Sequence, residues 1–312
     1  MRKIFGIGET VLDIIFNGDQ PVSAVPGGSV YNSMISLGRA GASASFISEV
    51  GDDRIGRRIV GFLQENNVNA DGVSMFHGTK SPLSLAFLNE QRDAEYIFYK
   101  DHPNDRLDFA LPHIDEDDIV LFGSYYALNP VIRQQVEAFL RHAHDSGAIL
   151  YYDVNFRPSH AGEKVRLRSS LLDNFLLADF VRGSRDDFNV LFGTDAATDV
   201  YASEVSFHCK DFIYTSGSAP IQVFGAGGVR RSYDVSQIEA VSTIGAGDNF
   251  NAGFVYALVR YGIRRADIAG GLTPAQWDDL IACAQGFSAE CCKSIENFIS
   301  VQYGAAMREA LR

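Results

Sequence analysis

The chain has 312 residues, 46% of them hydrophobic, and a formal net charge of −12. That supplies the apolar mass of a large core, while a surface of this sign repels phosphate backbones and anionic lipid, which excludes nucleic-acid and membrane-surface roles. No run of about 18 apolar residues is present and Met1-Arg2-Lys3 leads straight into a strand-like segment, so a cytoplasmic protein is expected.

Short β-branched or aromatic runs at 3–8, 44–50, Ile119–Gly123, 148–154, 180–182 and 211–215 alternate with helical patterns. Being mostly continuous in apolar residues, they read as strands covered on both faces. The fold class is therefore α/β, with a largely parallel central sheet and helices on both faces. Helical period is clear at Ile132, Val136, Phe139, Leu140 and Ala143, closed by Ser146-Gly147, and again at Trp277, Leu280, Ile281 and Ala284 behind Thr273-Pro274. Two segments break the rhythm. Residues 11–16 before the turn Asn17-Gly18-Asp19, and residues 83–89 facing 95–100, read as hairpins. They predict a small antiparallel β lid, 11–26 and 83–101, inserted in a single domain of 1–312 and placed to exclude water from a site. Free strand edges on such a lid predict a homodimer through it.

Several chemistries lack their sequence signatures. No Gly-x-x-x-x-Gly-Lys-Ser/Thr segment occurs, Gly6-Ile7-Gly8 is followed by Val11 where a dinucleotide fingerprint needs its third glycine, and four cysteines show neither zinc nor redox spacing. Two glycine clusters stand out instead. Gly27-Gly28-Ser29-Val30-Tyr31-Asn32 opens a helical stretch, where backbone can approach a ligand closely and Asn32 can offer both a donor and an acceptor. Asp13 lies upstream; with Asn32 it makes a grip for vicinal hydroxyls, although each alone also reads as an ordinary surface residue.

Gly245-Ala246-Gly247-Asp248 lies between the β-prone run 238–243 and an amphipathic stretch at 249–261. A glycine turn that opens a helix leaves N–H groups at the positive end of the dipole, which makes an anion site. Asp248 reads either as a helix cap or as a base for an attacking hydroxyl. Asp153-Val154-Asn155-Phe156-Arg157 puts three hydrophilic side chains at the end of a strand, where ligands sit in open α/β sheets, and Arg157 suits phosphate. Ser184-Arg185-Asp186-Asp187 offers oxygen to a hydrated Mg2+ ion through Asp187, or an N-cap through Ser184.

Taken together, these pieces resemble the ribokinase-like (PfkB) family of carbohydrate kinases over nearly the whole chain. The early signature is Gly27-Gly28 with Asn32, then Gly38-x-x-Gly41 and Val50-Gly51-Asp52-Asp53-x-x-Gly56; the late one is Thr243-Ile244-Gly245-Ala246-Gly247-Asp248-Asn249-Phe250 with Gly253. The resemblance implies that Asp248 is the catalytic base, that the amides of Gly245, Ala246 and Gly247 form an anion hole, and that Asp13, Gly27, Gly28 and Asn32 hold the sugar. It implies further sugar contacts at Tyr99, Lys100, Asp153, Asn155 and Arg157, ATP as donor with Thr215 and Gly217 near its phosphates, and Mg2+ near Ser184 and Asp187. Within the family, Gly8-Glu9 with Asp13, Phe98-Tyr99-Lys100 and Asp153-x-Asn155-x-Arg157 look most like fructokinases, with 2-keto-3-deoxygluconate kinases as near neighbours.

Three positions depart from the family pattern. Ser242 replaces an aspartate that helps bind a monovalent cation, so K+ activation is not carried over. Ser184-x-x-Asp187 replaces Asn-x-x-Glu, and Lys100 replaces an arginine, giving a point charge for a fork of donors. The rival from another class is a non-catalytic sugar or nucleotide sensor that kept this fold.

Overall fold

The structure is a computed structural model that describes residues 2–88, 94–99 and 107–311. In chain order its strands are β1 (Lys3–Ile7), β2 (Val11–Asn17), β3 (Gln20–Gly27), β4 (Ser43–Gly51), β5 (Val68–Phe76), β6 (Leu83–Leu88), β7 (Ala94–Tyr99), β8 (Ile119–Gly123), β9 (Ile149–Asp153), β10 (Phe180–Ser184), β11 (Asp211–Ser216), β12 (Ala219–Gly225) and β13 (Val229–Tyr233). The helices are α1 (Ser29–Arg39), α2 (Arg54–Glu65), α3 (Arg133–Asp145), α4 (Lys164–Leu177), α5 (Arg185–Phe192), α6 (Ala197–Val200), α7 (Ala246–Arg260), α8 (Arg265–Gly270), α9 (Pro274–Cys291) and α10 (Val301–Ala310).

A nine-stranded sheet runs β13-β12-β11-β10-β9-β8-β1-β4-β5. It is parallel from β5 through β11 and closes with an antiparallel hairpin at β12 and β13. Alternate strand residues feed two cores. Ile4, Leu121, Tyr151, Phe180 and Ile213 pack with Met34, Phe254 and Trp277 from α1, α7 and α9. Their neighbours Phe5, Val120, Tyr152, Val181 and Phe212 pack with Phe139, Leu171 and Phe188 from α3, α4 and α5. Strands buried on both faces explain the unbroken apolar runs. The chain proceeds from β1 to one side through β4 and β5 and later to the other through β8, so strand order reverses beside β1, and the carboxyl ends there frame a crevice.

The lid is a second sheet, β3-β2-β6-β7. Both expected hairpins form, β2 with β3 and β6 with β7, and a parallel pairing of β2 with β6 joins them. Register decides its faces. Asp13, Ser84 and Phe98 align across the sheet, with Asp13 and Ser84 buried. Leu12, Leu83 and Tyr99 align on the opposite face, joined there by Ile14, Leu85 and Ile97 and by Phe16 stacked on Phe87 at 4.8 Å. No helix among the described residues is long and apolar enough to cross a membrane.

The β-prone run 238–243 forms no strand. Its N–H groups at Val241 and Ser242 donate instead to the Cys292 carbonyl, at 2.8 and 3.4 Å, which ties this segment to the turn after α9.

Candidate active site

Two glycine turns meet at the crevice. Gly28 adopts φ +134°, closed to other residues, and a Cβ there would lie 2.2 Å from the Glu9 carbonyl oxygen. That contact seats the start of α1 against the end of β1. Gly245, at φ +77°, caps α7 without any side-chain hydrogen bond. The N–H of Ala246 donates to Thr243 O at 3.2 Å, so it is not available to an anion. The N–H groups of Gly245, Gly247 and Asp248 have no acceptor among the described residues. The unpaired donors thus differ by one position from the set expected for an anion hole, with Asp248 N–H in place of Ala246 N–H.

Asp248 is not the N-cap. It lies in the first turn of α7, and α1 holds it: Ser29 Oγ donates to its Oδ1 at 2.9 Å, Asn32 Nδ2 to its Oδ2 at 2.8 Å, and Ser33 Oγ to its main-chain oxygen at 2.7 Å. Burial pushes its carboxyl up to about 6, the Asn32 and Ser29 donors pull it down, Asp153 raises it further and Arg157 lowers it. Ionisation at neutral pH survives, with a base much stronger than a free carboxylate. Asp13 is likewise pushed up to about 6, first by burial and then by the charges of Asp248 and Glu9, against a hydrogen bond from Ser84 Oγ. Its Oδ2 faces the Gly27 α-carbon, where a Cβ would lie 2.2 Å away. Asn32 has its amide nitrogen on Asp248, and its Oδ1 is buried without a partner among the described residues.

Asp153 faces another charge. It is 1% exposed, and Arg182 Nη1 donates to its Oδ1 at 2.9 Å while Ser29 Oγ stands 3.5 Å from its Oδ2. The sugar-contact role expected of Asp153 gives way to an ion pair inside the protein. Arg182 Nη2 donates to Thr215 Oγ1 at 2.7 Å, so the hydroxyl expected near the nucleotide phosphates accepts from this guanidinium. The guanidinium lies under the anion turn: a Cβ on Gly247 would sit 3.1 Å from Nη1 and 3.2 Å from Nη2. Desolvation works against its charge, but Asp153, with Tyr151 and Asp187 adding less, raises its pKa on balance. Sequence reading passed over Arg182, although a lone cation inside an apolar strand is a usable signal.

Ser184 caps α5. Its Oγ accepts from Asp187 N at 3.2 Å, and Asp187 Oδ2 accepts from Ser184 N and Oγ at 2.7 and 2.8 Å. Asp187 Oδ1 accepts from Phe156 N at 2.9 Å. Of the two readings of this segment, the capping box is what the geometry displays; a carboxylate with both oxygens so engaged and 5% exposed is a poor metal ligand. Asn155 adopts φ 34° just beyond β9 and is half-buried, and Arg157 is exposed but close enough to act on Asp248. Gly217, φ +56°, is the exposed tip between β11 and β12. Tyr99 is 56% exposed on the lid face opposite Asp13, so it does not join the sugar site from its own sheet; Phe98 is the residue on the face of Asp13. Lys100 lies outside the described residues.

Unpaired N–H groups at a helix start, a carboxylate of raised pKa and a second carboxylate on the lid strand β2 thus meet at this crevice. The model of the family described as pfkB family carbohydrate kinase matches residues 1–296. The chain belongs to this family. As a pfkB-family sugar kinase it is 27% identical over 230 residues to "Probable fructokinase-4" of Arabidopsis thaliana, covering 72% of this chain and 70% of that one. It is also 25% identical over 280 residues to "5-dehydro-2-deoxygluconokinase 2" of Bacillus cereus, covering 82% of each. Among solved structures, a fructokinase double mutant from Vibrio cholerae bound to fructose, ADP and potassium superposes with a TM-score of 0.83 at 20% identity, over 100% of this chain and 99% of that one. The Salmonella enterica aminoimidazole riboside kinase gives 0.82 at 20% identity, over 99% and 100%. Both confirm the ribokinase-like fold.

Proposed function

We propose that this pfkB-family kinase transfers the terminal phosphoryl group of ATP to a hydroxyl of a hexose, with fructose as the leading acceptor. The observation that carries it is the meeting of Asp248 with the unpaired N–H groups of Gly245, Gly247 and Asp248, above the Arg182 guanidinium. ATP supplies the phosphoryl group and a leaving group. The protein's own residues do the rest. Asp13 and the Asn32 amide oxygen grip sugar hydroxyls and orient one of them toward Asp248. Asp248, held by Ser29 and Asn32, accepts its proton as the new O–P bond forms. Charge spread over the phosphoryl oxygens meets donors fixed in advance, worth about 3–4 kcal/mol by analogy with oxyanion holes. The lid keeps water away. Ser184 and Asp187 hold α5 in place, and Mg2+ enters with the nucleotide phosphates.

A keto-deoxy acid is the second reading, favoured by the Bacillus relative and by Arg157 near Asp248. A coupled assay of ADP release with ATP, Mg2+ and a sugar panel tests both. Release with fructose above 2-keto-3-deoxygluconate is expected; binding without release for every sugar would identify a sensor. Added K+ should leave the rate unchanged, since Ser242 brings no charge and its Oγ accepts from Ile244 N at 3.2 Å.

The lid also supports a homodimer. Its outer face gathers Leu12, Ile14, Leu85, Ile97 and Tyr99 around the Phe16–Phe87 stack, with Ile97 44% and Tyr99 56% exposed. Such a face is covered in solution by a second copy, lid on lid. Sedimentation at micromolar concentration should give twice the chain mass; a monomer would reject the pairing.

A further inference from the structure

The segment after α9 carries a polar side chain that phosphoryl transfer, as described, does not use. Asn297 is 3% exposed, and its Oδ1 has no hydrogen-bond partner among the described residues. A buried amide oxygen is costly to leave unpaired. Its backbone is pinned to the anion turn. Asn297 O accepts from Asn249 Nδ2 at 2.9 Å, and the same Nδ2 donates to Gly245 O at 2.8 Å. Asn249 Oδ1 accepts from Ser36 Oγ at 2.6 Å, and Ser36 Oγ accepts from Ile299 N at 3.2 Å. A Cβ on Gly245 would lie 2.9 Å from Asn297 O and 3.2 Å from Asn297 Cβ. The amide extends from there to the other glycine pair: a Cβ on Gly27 would be 3.9 Å from Asn297 Nδ2 and 2.2 Å from Asp13 Oδ2.

Asn297 therefore bridges the phosphoryl end of the site and the carboxylate that grips the sugar. Two other buried atoms nearby want partners. Asn32 Oδ1 and Thr10 Oγ1 have none among the described residues, Asn32 donates to Asp248, and Thr10 follows Glu9, whose carbonyl abuts Gly28. The Asp13 carboxylate and the unpaired amide oxygens of Asn297 and Asn32, on segments that meet at the two glycine turns, are satisfied together by the several hydroxyls of a polyol.

We propose that Asn297 is a substrate-binding residue that sets acceptor specificity, its Oδ1 taking a hydrogen bond from a sugar hydroxyl beside those held by Asp13. This rests on the hexose-kinase reading above and deepens it. A site with this extra polar demand favours a fully hydroxylated ketose over a deoxy acceptor, because the analogue leaves the amide unpaired.

The test measures kcat and KM for fructose, each of its monodeoxy analogues and 2-keto-3-deoxygluconate, in the wild type, Asn297→Ala and the similarly sized Asn297→Leu. Both variants keep the main-chain carbonyl that pins the segment. With fructose, KM should rise about tenfold to a hundredfold while kcat stays within about threefold. With one monodeoxy analogue the wild type should already carry that loss and the variants add none. Equal losses with every acceptor would reveal a packing role and overturn the proposal, as would unchanged kinetics in both variants or a wild type that prefers the deoxy acid. A wild type that phosphorylates no sugar overturns the hexose-kinase reading itself, and is told apart by needing no variant.

Discussion

Asp248→Asn is expected to lower kcat by about 10²–10⁴-fold and to leave the sugar KM nearly unchanged. The split follows from geometry. Asn fills the same space and can still meet Ser29 and Asn32, so the positions of α1 and α7 are kept, but it cannot accept a proton from the attacking hydroxyl. The wild-type pH profile supplies an independent check. Because burial raises the Asp248 pKa to about 6, the base is protonated below that pH and kcat should fall as pH drops through it, with a plateau above. Asp13 titrates in the same range, yet it grips sugar, so its protonation belongs in KM. In Asp248→Asn the acid limb of kcat should vanish. The same shift has a stability consequence of opposite sign. A carboxyl whose folded pKa is raised from about 3.9 stabilises the fold while protonated and loses that contribution as pH climbs through the folded value. The variant should therefore melt higher than wild type at pH 8 and alike below pH 4. Near-normal turnover in Asp248→Asn, or an acid limb that persists, would end its assignment as the base.

What sequence could and could not show divides along the range of the interaction. The glycine turns were legible because their constraint is local: Gly28 and Gly245 need backbone angles that other residues resist, and both open helices within a few residues. The parallel sheet was legible because both its faces are covered, which writes continuous apolar runs. Register is not local. Whether Tyr99 or Phe98 shares a face with Asp13 depends on how β6 aligns with β2, and strand period alone cannot supply that alignment. The coil at 238–243 has β-prone residues without a strand partner, its amides being taken by Cys292 from the far end of the chain. Ser84 on Asp13, Arg182 on Asp153 and Asn297 beside Gly245 are likewise pairs between distant segments, and none carries a spacing to read.

Arg182→Met should cost about 3–5 kcal/mol of stability, because it leaves the Asp153 carboxylate, 1% exposed, without its counter-charge. At about 2–4 °C per kcal/mol for chains somewhat shorter than this one, the melting temperature falls by roughly 10 °C. Loss of activity in that variant alone would be ambiguous, since a loosened β9–β10 pairing also disturbs the crevice. The double variant Asp153→Asn, Arg182→Met separates the two. With both charges removed, neither member of the pair is left buried without the other, and much of the lost stability should return. Turnover should not return with it. The guanidinium lies 3.1 Å from where a Cβ on Gly247 would be, so its positive charge acts at close range on whatever anion the turn holds, in surroundings too dry to screen it. Thermal melts and the coupled assay on the two variants read both quantities. A double variant that regains wild-type kcat would show that the pair only braces the strands; one that stays slow while melting near wild type assigns the charge to phosphoryl transfer.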